Sequence, residues 1–372
     1  MTEREETRLY NIPKLVWLLL AGIGILMIGL VWWGWNGRFA PAATTDNTRI
    51  LYLGWEDGES VNQLYLVNPE GNKPIRLTDT PFGVVDYAVS PDATQIAYSV
   101  ADEDGSIDLW LMRTDGRKQK RIWKCENALC TQPVWAADAR RLIVERRTVS
   151  EPGAPPDSPQ LWWLDTQTGE TLPVFADANQ TGLGVRLSPD DQWLSYIVPE
   201  AQEIHVTHLA TGESITIPSQ TGEPAVWYPD GEALMISGIW FQGESFSQHL
   251  FTVDLESAEL TNISGEAVET NDSLPVFSPD GEWIAFGRKK PRAPMGKQLW
   301  LMRPDGSGAV GITENADIHY NNPSWSPDGE QIVVQAYFLT ETESSPGLWL
   351  VDVESGELEE LVSPGIQPVW LP

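Results

Sequence analysis

A short signal recurs along the chain at the spacing of a structural repeat. An apolar or aromatic residue precedes Ser-Pro-Asp, or a relic of it, and a second apolar run follows. The copies read Val89-Ser90-Pro91-Asp92-Ala93, Trp135-Ala136-Ala137-Asp138-Ala139, Leu187-Ser188-Pro189-Asp190-Asp191 and Trp227-Tyr228-Pro229-Asp230-Gly231. The last two, Phe277-Ser278-Pro279-Asp280-Gly281 and Trp325-Ser326-Pro327-Asp328-Gly329, are complete. Successive copies begin 46, 52, 40, 50 and 48 residues apart. At that period each unit is one supersecondary module that buries its apolar face only by stacking on its neighbours. The 372 residues therefore need not divide into two ordinary domains.

The residues of the signal have distinct roles in a turn. Ser hydrogen-bonds at the first position, Pro presets φ at the second, Asp suits the third, and Gly takes the positive φ that returns the chain as a hairpin. Ala93, Ala139 and Asp191 replace that Gly. A left-handed residue there costs roughly 1–2 kcal/mol, so these three turns are expected to take other shapes.

Each turn is followed by a strand such as Gln95–Tyr98 or Trp283–Phe286, then by a loop and a strand of the type Leu109-Trp110-Leu111-Met112, Leu161-Trp162-Trp163-Leu164, Leu299-Trp300-Leu301-Met302 or Leu348-Trp349-Leu350-Val351. A tight turn such as Asp115-Gly116 or Asp305-Gly306 and a weaker fourth strand end the unit. Four short strands rich in aromatic and β-branched residues make one propeller blade. Residues 50–78 supply only the last three strands of a blade, and Gln367–Leu371 supply only a first strand. The expected fold is all-β: a seven-bladed β-propeller over 50–372, its ring closed by the C-terminal strand joining the N-terminal blade, which leaves no exposed strand edge there.

The Pro-x-Trp-Ser-Pro-Asp-Gly and Leu-Trp-Leu-Met repeats resemble the PD40 (TolB-like, WD40-like) propeller repeats of bacterial envelope proteins, over roughly residues 50–372. The resemblance implies binding of protein partners in the envelope. Two departures stand against a Tol-system role: no α/β domain is recognisable ahead of the repeats, and the expected ring has one blade more than the TolB propeller.

From Leu15 to Trp35 the chain carries no charge for 21 residues, bracketed by Lys14 and Arg38. As a helix this run spans about 31 Å, the thickness of a bilayer's hydrocarbon core. Trp17 lies near one end and Trp32, Trp33 and Trp35 at the other, where amphipathic rings sit at the interface. Arg4, Arg8 and Lys14 keep the leading tail in the cytoplasm. The expected organisation is a cytoplasmic tail at 1–14, a signal-anchor helix at 15–35, a linker at 36–49 and the propeller outside the cytoplasm. A cleaved signal peptide is the alternative, since Ala40-Pro41-Ala42 loosely fits a cleavage site, but the apolar run exceeds the usual 7–15 residues of a signal core. In that compartment a local disulfide between Cys125 and Cys130, the only two cysteines, is expected, with two free thiols as the alternative.

The formal charge is −29, which repels nucleic acid and anionic lipid headgroups. Nucleic acid is therefore excluded as a partner. Basic side chains are unevenly spread: residues 113–147 hold ten of the 24, whereas 148–287 hold only Arg186.

The two hairpin turns of each blade share one face of the ring. The opposite face carries the long, dissimilar segments 55–63, 101–108, 147–160, 238–249, 288–298 and 337–347, read as loops. Function concentrates on such loops. Binding candidates there are Arg288, Lys289, Lys290 and Arg292, with Lys297. Asp86, Tyr87, Asn271, Asp272, His319, Tyr320, Asn321 and Asn322 are expected around the channel mouth. Asp102, Asp104 and Asp108 are a weak calcium candidate without the spacing of an EF-hand; an acidic turn is the plainer reading.

No Gly-x-Ser-x-Gly elbow and no phosphate-binding Gly loop occurs in the sequence. His205 and His208 fall on opposite faces of a predicted strand. No catalytic residue and no cofactor is nominated. The expected function is that of a non-catalytic protein-binding or scaffold module of the cell envelope. A glycan- or cell-wall-binding propeller is the alternative, followed by a calcium-dependent propeller hydrolase or lactonase.

Overall fold

In the computed structural model, residues 49–371 are described except 57, 72, 152, 267, 268, 291–295 and 341–344. The expected membrane helix and its flanks fall outside the described residues, as does Arg292. No helix occurs among the described residues.

The chain is a succession of antiparallel meanders. Strands β1 (Arg49–Gly54), β2 (Gln63–Val67) and β3 (Ile75–Arg76) begin it. Next come β4 (Val84–Val89), β5 (Gln95–Ala101), β6 (Ile107–Arg113) and β7 (Lys120–Trp123), then β8 (Ala128–Trp135), β9 (Arg141–Thr148), β10 (Gln160–Asp165) and β11 (Thr171–Pro173). The middle comprises β12 (Leu183–Leu187), β13 (Trp193–Val198), β14 (Glu203–His208) and β15 (Ser214–Pro218), followed by β16 (Val226–Trp227), β17 (Ala233–Gln242), β18 (Ser245–Asp254) and β19 (Leu260–Asn262). The chain continues with β20 (Asn271–Phe277), β21 (Ile284–Lys289), β22 (Gln298–Met302) and β23 (Val310–Gly311). It ends with β24 (Ile318–Trp325), β25 (Gln331–Phe338), β26 (Gly347–Asp352), β27 (Leu358–Val362) and β28 (Ile366–Leu371). Strand β28 pairs antiparallel with β1, matching Ile50 to Trp370 and Leu51 to Val369. A four-stranded sheet β28-β1-β2-β3 results.

One junction was not anticipated. Strands β6 and β8 touch in parallel at Ile107 and Leu129, which merges two meanders into one eight-stranded sheet. The Cys125–Cys130 disulfide ties the connection between β7 and β8 to β8 itself, with its Cα atoms 6.2 Å apart. The buried carboxylate of Asp108 accepts the Cys125 N–H at 2.7 Å and pairs with Arg121 at 3.0 Å.

The apolar cores lie between successive sheets rather than at one centre. Leu51, Leu53, Leu64 and Leu66 pack on Ile96, Tyr98 and Met112 of the following sheet. Ile50, Tyr52 and Tyr65 pack on Val333, Leu348 and Leu350 of the β24–β27 sheet. The inner-strand tryptophans add a polar tie between neighbours. Trp135 Nε1 donates to the Ala88 carbonyl at 3.1 Å, Trp227 to Arg186 at 3.3 Å and Trp325 to Val276 at 3.3 Å. A buried indole N–H commonly finds such an acceptor; that of Trp370, on β28, has no partner among the described residues.

Two expectations are corrected. Ala93, Ala139 and Asp191 sit at φ 54°, 52° and 57°, alongside Gly231, Gly281 and Gly329 at 76°, 71° and 76°. The three turns keep the shared shape despite the left-handed cost. The reason is visible in the first: Ser90 Oγ donates to Asp92 at 2.6 Å and accepts the Gln95 N–H at 3.0 Å, while the Ala93 N–H reaches the Ser90 carbonyl at 2.8 Å. The segment 238–249 is not a loop but the ends of β17 and β18, paired through Phe241–Phe246 to a tight turn at 243–244. The alternation of residues such as Ile239 and Phe241 continues the strand period, and both tip phenylalanines stand exposed, at 69% and 68%.

Candidate ligand-binding cavity

Five inner strands carry a left-handed residue three positions ahead of the residue that opens the turn signal or its equivalent. These are Gln132, Gly184, Leu274, Asn322 and Gln367, with φ between 47° and 62°. Each coincides with a register shift, as between Thr131 and Val134 or between Asn321 and Ser324. A bulge of this kind removes its residue from the ladder and re-aims the backbone.

A freed N–H in such a place must find another acceptor. For four of the five, a side chain from the preceding meander supplies it. Asp86 takes the Gln132 N–H at 2.9 Å, Glu145 that of Gly184 at 2.7 Å, and Gln335 that of Gln367 at 3.0 Å. Glu223 takes that of Leu274 at a longer 3.4 Å. Asp86 also accepts the Ser99 hydroxyl at 2.5 Å, and Glu223 accepts Ser237 at 2.5 Å and Gln248 at 2.8 Å. Burial raises the Asp86 carboxyl above its ordinary range, while the Ser99 and Gln132 bonds pull it back. Glu145 is likewise raised by burial against the pull of the Gly184 N–H.

The inner strands surround a cavity of about 510 Å³, within the size range of ligand sites. Every sheet contributes to its lining, through Asp86, Gln132, Arg186, Glu223, Leu274, Asn322 and Gln367 among others. Tyr87 lines it too, its hydroxyl donating to the carbonyls of Leu51 and Gln367, so it ties the first two sheets together.

Of the residues expected at the channel mouth, Asp86, Tyr87 and Asn322 meet in this cavity. The others do not line it. Asp272 is fully buried and holds Arg288 by two bonds of 2.7 and 2.6 Å. Asn271 accepts the Gln248 N–H at 2.9 Å. His319 Nδ1 accepts the Lys297 N–H at 3.3 Å, and burial, reinforced by Lys297 and Lys289, lowers its pKa. Tyr320 is buried, and its phenol is pushed up to about 12. Asn321 lies beside Tyr320 and Lys297 around a separate small void.

The basic segment is spread out and partly consumed. Arg288 is bound to Asp272, Arg288 and Lys290 each stand 4.8 Å from the Trp300 ring centre, and Lys289 is half-buried. Asp102 and Asp104 cap their own turn through the N–H groups of Glu103 and Ser106, at 2.7 and 2.9 Å. Asp108 serves Cys125 and Arg121. No group of three or more His, Cys, Asp or Glu side chains placed to hold a metal ion occurs among the described residues.

Gln132, Arg186, Glu223, Leu274 and Gln367 escaped sequence reasoning. A signal for three of them was present: Gln132, Leu274 and Gln367 each stand directly before the Pro of a Pro-x-aromatic triplet, as Asn322 does.

The same architecture occurs in known proteins. An uncharacterized protein of Agrobacterium fabrum is 27% identical over 280 residues, which cover 69% of this chain and 83% of that protein. The β-propeller domain of the Trilobed protease from Pyrococcus furiosus superposes with a TM-score of 0.59 at 16% identity, over 86% of this chain and 96% of the domain. TolB from Acinetobacter baumannii gives 0.51 at 16% identity, over 87% of this chain and 66% of TolB. Identities this low in the two structures establish fold alone. The model of the PD40 family, the TolB beta propeller domain, matches residues 158–367. With more than half of its length so matched, the chain belongs to the TolB beta-propeller domain family.

Proposed function

We propose that the protein is a membrane-anchored, extracytoplasmic propeller that binds an extended segment of a partner protein in its central cavity and performs no catalysis of its own. The observation that carries this reading is the cavity itself: about 510 Å³, rimmed by exposed amide side chains at Gln132 and Gln367 on a backbone pinned by neighbouring sheets. Rigid, multi-sided lining of this kind favours recognition over chemistry, which needs a positioned acid, base or nucleophile. TolB and a protease propeller share the fold, and fold alone does not choose between a binder and an enzyme.

The proposed ring has seven blades, counting β4–β7 and β8–β11 as two. Support comes from the β1–β28 pairing and from the packing of the β28-β1-β2-β3 sheet against the sheets on both sides. The uncharged run Leu15–Trp35 supports the anchor, and a reporter fused after residue 372 should be active only outside the cytoplasm.

The test is a crosslinked pull-down from native membranes with the full-length chain and with Leu274→Trp, which fills the cavity. A partner recovered by the first and lost from the second, at equal folding, supports the reading. Equal recovery by both refutes cavity binding.

Glycan binding has one observation in its favour: a hollow of about 180 Å³ formed by Trp162, Phe175 and Leu161 beside Gln160. Aromatic faces suit sugar rings. Glycan arrays with wild type and Trp162→Ala check it.

A further inference from the structure

The charged side chains of the cavity, two carboxylates and one guanidinium, differ in how much of their bonding capacity is already used. Two acidic side chains line it, and both are already occupied. Asp86 is held by Ser99 and Gln132, and Glu223 by Ser237, Gln248 and Leu274. Their oxygens are spent on pinning the bulges. Arg186 is the counter-case. Among the described residues its guanidinium makes one hydrogen bond, from Nη1 to the Val185 carbonyl at 2.7 Å. Among the described residues no carboxylate lies within 4 Å of its guanidinium. A guanidinium offers five N–H donors in a planar fork, so most of this one's capacity is open.

Its placement also stands out in the sequence. Arg186 is the only Lys or Arg in residues 148–287, and it lines the cavity rather than the solvated outer surface. A half-buried arginine without an ion pair is costly to keep. Burial depresses its pKa, opposed only by Glu145, which is itself taken up by the Gly184 N–H. Amide side chains of Gln132, Asn322 and Gln367 share the cavity with it and can complete the bonding of a planar anion.

We propose that Arg186 receives a carboxylate of the bound peptide segment, either an Asp or Glu side chain or a C-terminus, in the central cavity. This rests on the reading of the cavity as a peptide site. Fork-to-fork pairing of guanidinium and carboxylate supplies direction as well as attraction. A chain of charge −29 favours basic peptides through its general field, so an acidic preference in this cavity has to come from Arg186 locally.

The experiment is selection of short random peptides by the full-length chain, in parallel with Arg186→Gln and with two cavity-filling variants, Leu274→Trp and Asn322→Trp. Thermal melting confirms that each variant folds. The expected result is a pool dependent on an open cavity, in which one position is enriched in Asp or Glu, or the free C-terminus is required. For the selected peptides, acid-to-amide replacement should weaken binding to wild type about tenfold or more and leave binding to Arg186→Gln unchanged. Peptides that need the open cavity but show no acidic preference, or keep it with Arg186→Gln, overturn this inference while the peptide-site reading stands. A pool indifferent to both tryptophan variants overturns the peptide-site reading and this inference with it.

Discussion

The carboxylate of Asp86 accepts the backbone N–H of Gln132, 46 residues further along and in the next meander, at 2.9 Å. The bond carries no ladder of its own, yet it joins the inner strands of two meanders where both face the cavity. Asp86 is only 5% exposed and its pKa is raised by burial. A carboxyl raised in the folded state contributes its full stability below the unfolded pKa of about 4 and loses it as pH climbs through the folded pKa. Asp86→Asn keeps an acceptor for Gln132 and turns a donor to Ser99. It should therefore equal or exceed wild type in stability at pH 7.5, by about 1.4 kcal/mol per unit of upshift. That gap should close on acidification toward pH 4, measured by urea unfolding at stepped pH; a gap that widens there would rule out the raised pKa. Asp86→Ala strands both donors and should cost about 1–3 kcal/mol.

The left-handed turn residues give a paired test. Ala93→Gly and Ala139→Gly relieve the positive φ and should each raise stability by up to about 1 kcal/mol, the 1–2 kcal/mol relief being offset by the freer unfolded chain. Asp191→Gly should bring no gain. Its carboxylate accepts the Ala137 N–H at 3.0 and 2.9 Å from the neighbouring turn, and that tie is lost with the side chain. Thermal denaturation of the three variants separates the cases.

The buried pair Asp272–Arg288 should behave as a unit. Removing one partner, as in Asp272→Ala, leaves an uncompensated charge at an interior site and should cost about 3–5 kcal/mol. Replacing both with apolar residues should recover most of the loss, because the desolvation cost disappears with the charges. A double-mutant cycle by chemical denaturation reads the coupling.

Strand β28 supplies the test of closure. A chain ending at Gly365 exposes the edge of β1 and uncovers Ile50 and Leu51, which are fully buried. Its melting point should fall by more than for any single substitution above, and aggregation through the open edge should rise. Addition of a peptide matching 366–371 should restore part of the loss.

Much of this architecture is legible before any coordinate. The turn signal, the Leu-Trp-Leu-Met strands and the complementary ends predict the meanders, because turn chemistry and two-residue alternation are local. Two kinds of feature are not local. Segment 238–249 reads as a loop because its local strand period becomes decisive only once the pairing of β17 with β18 is known. Arg186 carries no sign in the sequence that it lines a cavity; only a bulge two residues earlier, at Gly184, turns it there. The same step separates Asp86 and Tyr87, which reach the cavity, from Asn271 and Asp272, which precede their bulge and point into the sheet interface.

The bulges along the inner strands have a consequence for how such a cavity changes over generations. At Gln132, Gly184 and Gln367 the fixed element is the main-chain amide, bound to an acid or amide of the neighbouring meander. The side chain is spared from that duty. Among residues that tolerate a positive φ, identity at Gln132 and Gln367 can drift while the scaffold keeps its shape, so new recognition can be acquired there by single substitutions; Gly184, where a Cβ would meet Ile197 and Pro224 at 2.9 Å, stays fixed.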